Sequence, residues 1–511
     1  MLNKTFFQLH KFPILLAFTS LLFYWSFGYD LVRADYIKLI TLYVALFFLF
    51  YKLIQISKHD LIFLTWIAFI FRAVFILAIP NLSQDFYRFI WDGRMLLEGF
   101  NPYLYTPESF INLGEYPINQ AQELFNGMEA LNASHFTNYP PINQLCFAVA
   151  SIFAGKSILG SVIVMRLLII TADFGILHFG KKLLEKLGIP VYNIFWYLLN
   201  PFIIIELTGN LHFESVMVFF LVWSMYLLYS KKWKIAATVF ALSVSVKLIP
   251  LIFLPLFYQW FMKRNIIENI EKQTVLKDEI ATSQAPRNDK KREGVISNTS
   301  EKSYNEIATS QTPHAIGKWI PAFAGMTKLM QFYAIIGVVI LLLFVPFYSP
   351  QFITNYTETI GLWFQHFEFN ASLYYVAREI GYLFRGWNEI AIIGKFTSIL
   401  VLLFVLIITF FRKQKSTVEL ISAMLLVLSF YYFTATTVHP WYVATLVILS
   451  VFTNYKFPLV WSFAIILSYL AYANSDNTEN LWVIGLEYLV VYSVFIWEVF
   501  FKKSMRKLQH L

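Results

Sequence analysis

Apolar runs long enough to cross a lipid bilayer recur along almost the whole chain, and that pattern leaves few folds open. A helix needs roughly 20 apolar residues to span hydrocarbon, and backbone there must satisfy its own hydrogen bonds. The first three candidate spans are Phe12–Tyr29, Ile37–Leu53 and Leu61–Pro80. Only 14% of the 511 residues are charged, against roughly 25% in soluble domains. The fold class is therefore all-α: a polytopic transmembrane helical bundle. The net charge of +9 does not argue for nucleic acid, because membrane proteins concentrate Lys and Arg in cytoplasmic loops. The single cysteine, Cys146, excludes an intramolecular disulfide and a cysteine-based metal cluster. The first apolar run follows Lys4 and Lys11 and ends in FGYDLVRADY, without a small-residue cleavage site. It reads as a retained span.

Lysines and arginines set the expected topology. Lys4, Lys11, Lys52 and Lys58 fall inside, so three crossings deliver Ser83 to the outer face. The loop Asn81–Pro140 fits that side: seven acids against Arg88 and Arg94 give −5. Ile142–Ala154 is short for a crossing and reads as interfacial or re-entrant. Val162–Phe179 then returns to Lys181, Lys182 and Lys186, Tyr192–Thr208 goes out, and Ser215–Tyr229 returns. A hairpin follows, with Lys247 near its outer apex. The remaining runs bring the count to about fourteen crossings, with both ends inside.

The chain divides into residues 1–262, a transmembrane half with the outer loop 81–140, residues 263–330, and a second transmembrane half, 331–511. The middle part, Glu268–Lys328, is polar and mixed in charge and reads as a flexible cytoplasmic loop. It repeats EIATSQ at Glu279–Gln284 and Glu306–Gln311. Its WIPAFAGMT, Trp319–Thr327, resembles peptides translated from dispersed palindromic genomic elements. That marks the loop as a tolerated insertion.

The most patterned polar stretch is Ser83–Tyr103, SQDFYRFIWDGRMLLEGFNPY. Read as a helix, Asp85, Arg88 and Asp92 share one face. Ser83 is the candidate N-cap and Gly99 the left-handed stop. The stretch reads as a short interfacial helix with an ionic stripe and an apolar side. The topology gathers further ionisable residues on the same outer face: His212, Glu214, Lys247, His366, Glu368 and His439. Each has an ordinary structural explanation, such as a snorkelling Lys247 or a capping Glu214. Together they outline a charged cleft at the bilayer boundary, where ionisable groups are functional candidates. Such a cleft suits a lipid-linked substrate. A carboxylate takes a proton from an attacking hydroxyl. Arginine and lysine hold a phosphate. Trp91, Tyr103, Trp363 and Trp441 offer faces for sugar rings.

SQDFYRFIWDGRMLLEGFNPY, YPPINQL, GNLHFES, VKLIPLIFLP and VHPWY, in that order, resemble the GT-C membrane glycosyltransferases. The nearest branch is the polyprenol-phosphate-mannose-dependent mannosyltransferases, relatives of the GPI mannosyltransferase I catalytic subunit. The resemblance covers Asp60–Met262 well and the C-terminal half loosely. It implies an outward-facing site in a bacterial plasma membrane, a polyprenyl-phosphate sugar donor, a glycan or glycolipid acceptor, and inversion at the anomeric carbon. It makes Asp85 the base and Asp92 the second acid. It gives Arg88, Arg94 and Lys247 the donor phosphate. Trp91, Tyr103, His212, Glu214, His366, Glu368, His439 and Trp441 become substrate-binding candidates. Asp85 and Asp92 stand seven residues apart and do not form a tight Asp-x-Asp, so no cofactor is assigned and a divalent metal is left open. The alternatives are a lipid-linked sugar flippase, which would call for inverted repeats the chain does not display, and a non-catalytic envelope-assembly scaffold.

Overall fold

The computed structural model describes residues 4–262, 316–365, 367–412, 414, 416–474 and 476–502. Their regular secondary structure is helical, apart from one isolated parallel bridge, Phe369 to Thr437. Seven helices are long and apolar enough to cross a membrane: Lys11–Tyr29, Tyr36–Ser57, Ile158–Leu187, Gly325–Phe347, Ile390–Phe411, Thr417–Thr434 and Leu481–Phe501. An eighth is the pair Val191–Leu198 and Pro201–Gly209, bent by 50°. The other apolar helices are 10–17 residues long, so among the described residues seven or eight segments, and not about fourteen, have the length and composition of a complete crossing. The expected span Leu61–Pro80 shows why: its helix stops at Ala73, and residues 74–77 form turns. The helix Ile316–Phe344 begins within the stretch read as a flexible loop, so Trp319–Thr327 is helical. Residues 263–315 of that stretch lie outside the described residues.

In chain order the first eight helices are α1 (Lys4–Tyr29), α2 (Tyr36–Ser57), α3 (Leu61–Ala73), α4 (Asp85–Leu97), α5 (Pro107–Asn112), α6 (Ala121–Ser134), α7 (Pro141–Ala154) and α8 (Ile158–Leu187). The bent pair after α8 is organised by its break. Asn200 precedes Pro201, and its Oδ1 accepts from the Phe202 N–H at 3.0 Å while its Nδ2 donates to Ser462 Oγ at 3.0 Å. A broken helix leaves carbonyls without intrahelical donors, which is costly in an apolar setting. Two buried arginines take them. Arg72 of α3 donates to Leu198 O at 2.6 Å and to the Asp173 carboxylate at 2.6 Å. Arg166 of α8 donates to Thr208 O and Gly209 O, both at 2.8 Å, and to Ile76 O at 3.0 Å. The second half of the pair ends as a π-helix, Ile204–Gly209, a form often found at functional sites.

Helix α4 is where the sequence expectation of a surface helix fails. Phe86, Phe89, Ile90, Trp91 and Met95 are buried, and so are Arg88, Asp92 and Arg94. Its ionic stripe is as enclosed as its apolar side, because α6 and α7 cover it. The N-cap position is Gln84, whose side chain makes no capping bond to the helix, and Ser83 Oγ instead accepts from the Asp85 N–H at 3.3 Å. Gly99 does end the helix with φ +81°.

The contact with α7 requires Gly93. A Cβ there would lie 2.3 Å from Phe147 O and 2.7 Å from Ser151 Oγ. The nearest obstacle is backbone, which has no alternative rotamer. Gly93→Ala is expected to cost about 1–3 kcal/mol, the range for overpacking a closed core. Gly337→Ala, with nothing within 4 Å, is expected to be neutral. Thermal unfolding of the two purified variants decides this; equal midpoints would show that α7 moves aside freely.

Candidate active site

One cavity of about 1050 Å³ opens beside the start of α4. Its walls come from both halves of the chain. Arg33, Asp85, Asn132, Glu214 and Lys247 line it from the first half, and Glu368, Arg378, His439, Trp441 and Tyr472 from the second.

Asp85 stands at the first position of α4, and the strand of chain leading to it is pinned twice. Asn81 Nδ2 donates to Phe27 O at 2.8 Å and Leu31 O at 3.0 Å. Asn210 Oδ1, just past the π-helix, accepts from the Leu82 N–H at 3.0 Å. The Asp85 carboxylate then accepts from Asn132 Nδ2 at 3.1 Å. Burial pushes its pKa above the usual carboxylate range, opposed by the Asn132 bond and by the nearby charges of Lys247 and Arg33. Lys247 Nζ donates to Glu214 Oε1 at 2.5 Å.

Arg33 lies in the short connection between α1 and α2. Its guanidinium sits flat over the Tyr472 ring, 3.2 Å from the centroid, and donates to Gln84 Oε1 at 3.3 Å. Among the described residues no carboxylate forms an ion pair with it, and its buried Nε has no acceptor. That makes it a cation with donors still to satisfy. The sequence held one signal for it, an arginine in a connection assigned to the outer side.

Behind Arg33 runs a column of flat groups. Tyr472 stacks on Phe369 at 5.7 Å, Phe369 on His439 at 5.4 Å, His439 on Trp441 at 4.6 Å, and Trp441 on His212 at 3.8 Å. Phe369 is held in place by the bridge to the Thr436–Val438 segment, with Val438 N–H donating to Phe369 O at 2.8 Å. Burial, with Lys247 and Arg33 close by, pulls His439 down to about 3, so it is neutral at ordinary pH. The far wall carries a second ionic cluster. Arg378 donates to Glu368 Oε1 at 2.6 Å and lies 4.5 Å over the Tyr375 ring, and Tyr375 OH donates to Glu479.

Of the residues singled out in the sequence, Asp85, Glu214, Lys247, Glu368, His439 and Trp441 line this one cavity, and His212 sits directly behind Trp441. Five others do not line the cavity. Asp92 is fully buried, bonded to Arg88 Nε at 2.8 Å and Gln144 Nε2 at 3.0 Å. Arg88 is also consumed by Asn132 O and His135 O, at 2.6 and 3.0 Å. Arg94 is held by Asn119 O at 2.6 Å and Lys156 O at 3.1 Å. Trp91 is core, and the Tyr103 hydroxyl donates to Tyr139 O at 2.6 Å. These side chains are bonded or packed around α4, away from the cavity wall. His366 and the side chain of Trp363 lie outside the described residues. Among the described residues no three His, Cys, Asp or Glu side chains gather to hold a metal ion.

Residues 25–263 match the family described as "Alpha-(1->6)-mannopyranosyltransferase, N-terminal domain". Two relatives carry the name "Alpha-(1->6)-mannopyranosyltransferase A". The one from Corynebacterium glutamicum is 26% identical over 193 residues, 36% of each chain. The one from Mycobacterium tuberculosis is 23% identical over 150 residues, 29% of this chain and 27% of the relative. The chain thus aligns with about a third of the length of the curated relatives it matches. The matched region holds Arg33, Asp85, Glu214 and Lys247; the column from Phe369 to Tyr472 lies beyond it.

Proposed function

We propose that this chain is a membrane glycosyltransferase of GT-C type that moves mannose from a polyprenyl-phosphate donor to a glycan or glycolipid acceptor. The observation that carries the reading is the pairing of a pinned, half-buried carboxylate, Asp85, with the two cations Arg33 and Lys247 at one wall of a large cavity. The match to mannosyltransferases over that same wall supplies the sugar.

Asp85 takes the proton from the acceptor hydroxyl. That oxygen forms a bond to the anomeric carbon as the bond from carbon to phosphate oxygen breaks, through an oxocarbenium-like transition state and with inversion. The electron pair stays on the leaving phosphate. Lys247 and Arg33 hold that charge in place of Arg88 and Arg94, which do not line the cavity. His439, being neutral, and Trp441 give the cavity an uncharged aromatic wall against which a sugar ring can rest. The cavity wall includes Glu214, at the end of the helix Glu214–Tyr229 away from Lys231, Lys232 and Lys234. By the positive-inside rule that end is the outer face.

The test uses purified protein in lipid nanodiscs. Labelled mannose should pass from polyprenyl-phosphate mannose, and not from a nucleotide sugar, to a membrane lipid extract. Transfer from the nucleotide sugar alone would sink the donor assignment. Arg33→Gln should lower kcat/KM by about 10- to 100-fold, as expected for losing a charge-assisted contact worth about 1.5–3 kcal/mol. Unchanged donor kinetics would remove Arg33 from the phosphate site.

A further inference from the structure

The helix Leu373–Arg385 has two unlike faces. At 100° per residue Leu373, Val376, Ile380, Leu383 and Phe384 fall in an arc about 100° wide, and Trp387 follows just beyond the helix end. All six are exposed, Leu383 and Phe384 to 84% and 83%. The opposite arc is bound into the cavity wall. Tyr374 OH donates to Glu368 Oε2 at 2.7 Å, Arg378 donates to Glu368, and Tyr375 to Glu479. The helix is therefore fixed from one side, and its apolar arc faces away from the protein. A contiguous apolar stripe of this size marks an interaction surface.

What covers it follows from its neighbours. Gly386, with φ +80°, ends the helix, and Ile390–Phe411 begins four residues later. That span exposes Phe396, Ile399 and Leu403 along its length, so the arc continues an apolar belt that faces lipid. Trp387 stands before this span and Trp482, 90% exposed, opens the span Leu481–Phe501. Tryptophan collects at the boundary between hydrocarbon and water. Exposed Glu379 edges the arc with charge. We propose that the helix Leu373–Arg385 lies in the plane of the membrane interface at the cavity mouth. Its apolar arc is seated among the headgroups and upper acyl chains of that leaflet. Its inner face then holds Arg378, Glu368 and Tyr375 at headgroup height, so one wall of the cavity is registered to the lipid plane. This placement stands independently of the sugar-transfer reading.

The experiment uses the full chain with Cys146→Ser, reconstituted in phosphatidylethanolamine and phosphatidylglycerol vesicles. A nitroxide is attached at Leu383→Cys, at Glu379→Cys or, as a mid-span reference, at Leu403→Cys. Collision rates with oxygen, which partitions into lipid, and with a water-soluble nickel chelate are then compared. Leu383 and Glu379 are both exposed, so neither label disturbs packing. Oxygen should dominate at 383, less strongly than at 403, and the nickel chelate at 379. Equal nickel collisions at 383 and 379 would put the arc in water and overturn the proposal. A label at 383 screened from both reagents would mean that protein, a second copy or another chain, covers the arc, and would overturn it equally.

Discussion

Asp85→Asn is expected to lower kcat for sugar transfer by about a hundred- to ten-thousand-fold, the range a positioned general base contributes. The fold should be unaffected, because the amide keeps the shape and still accepts from Asn132 Nδ2, which lies 3.1 Å from the carboxylate. The pH profile carries the sharper signature. A base works when ionised, and burial raises the Asp85 pKa above the usual carboxylate range. Wild-type kcat/KM should therefore fall as pH drops through that raised value, with an acid limb at higher pH than an exposed aspartate would give. The limb should be absent from the residual activity of the asparagine variant. A fully active, folded Asp85→Asn protein would move the base elsewhere. Asp92 is a poor substitute, since both its oxygens are already bonded inside the scaffold.

The second large effect is on stability. Arg72 and Asp173 form a fully buried ion pair at 2.6 Å, and Ser215 Oγ adds a bond to the other Asp173 oxygen at 3.1 Å. Asp173→Ala should destabilise the protein by about 3–5 kcal/mol, because it strands a buried guanidinium. The Arg72→Met, Asp173→Leu double variant should recover much of that loss, since desolvation of both charges disappears with the pair. It should not recover activity, because the Leu198 carbonyl at the break of the bent span loses its donor. Unfolding midpoints in one detergent measure both. A double variant no more stable than Asp173→Ala would show that the carbonyl contact, and not the stranded charge, is what holds this region.

The helical class was readable from composition and run length alone, because hydrocarbon leaves the backbone few choices. The number of crossings was not. Tyr192–Thr208 reads as one apolar run; its break is capped by Arg72 at Leu198 and its end by Arg166 at Thr208 and Gly209, partners remote in sequence. The site was legible where polar residues interrupt apolar runs, as at Asp85, Lys247 and His439. It was misread along α4, because periodicity tells which residues share a face but not what covers that face. Asp92 and Arg88 look like site residues by spacing and are core residues by burial. Arg33 and Tyr472 were invisible as a pair, since 439 positions separate them and neither stands in a patterned stretch.

The column from Arg33 through Tyr472, Phe369, His439 and Trp441 to His212 has a thermodynamic consequence. Planar groups stacked face to face possess few soft torsions, and each ring denies its neighbour alternative rotamers. A wall built this way has little configurational freedom left to lose when a ligand arrives, so association there carries a small reorganisation term. It also cannot remould itself around a misshapen guest. Discrimination at this wall should then show itself as rejection by rigid shape, with sugars of altered ring stereochemistry losing affinity in the first encounter instead of at the chemical step.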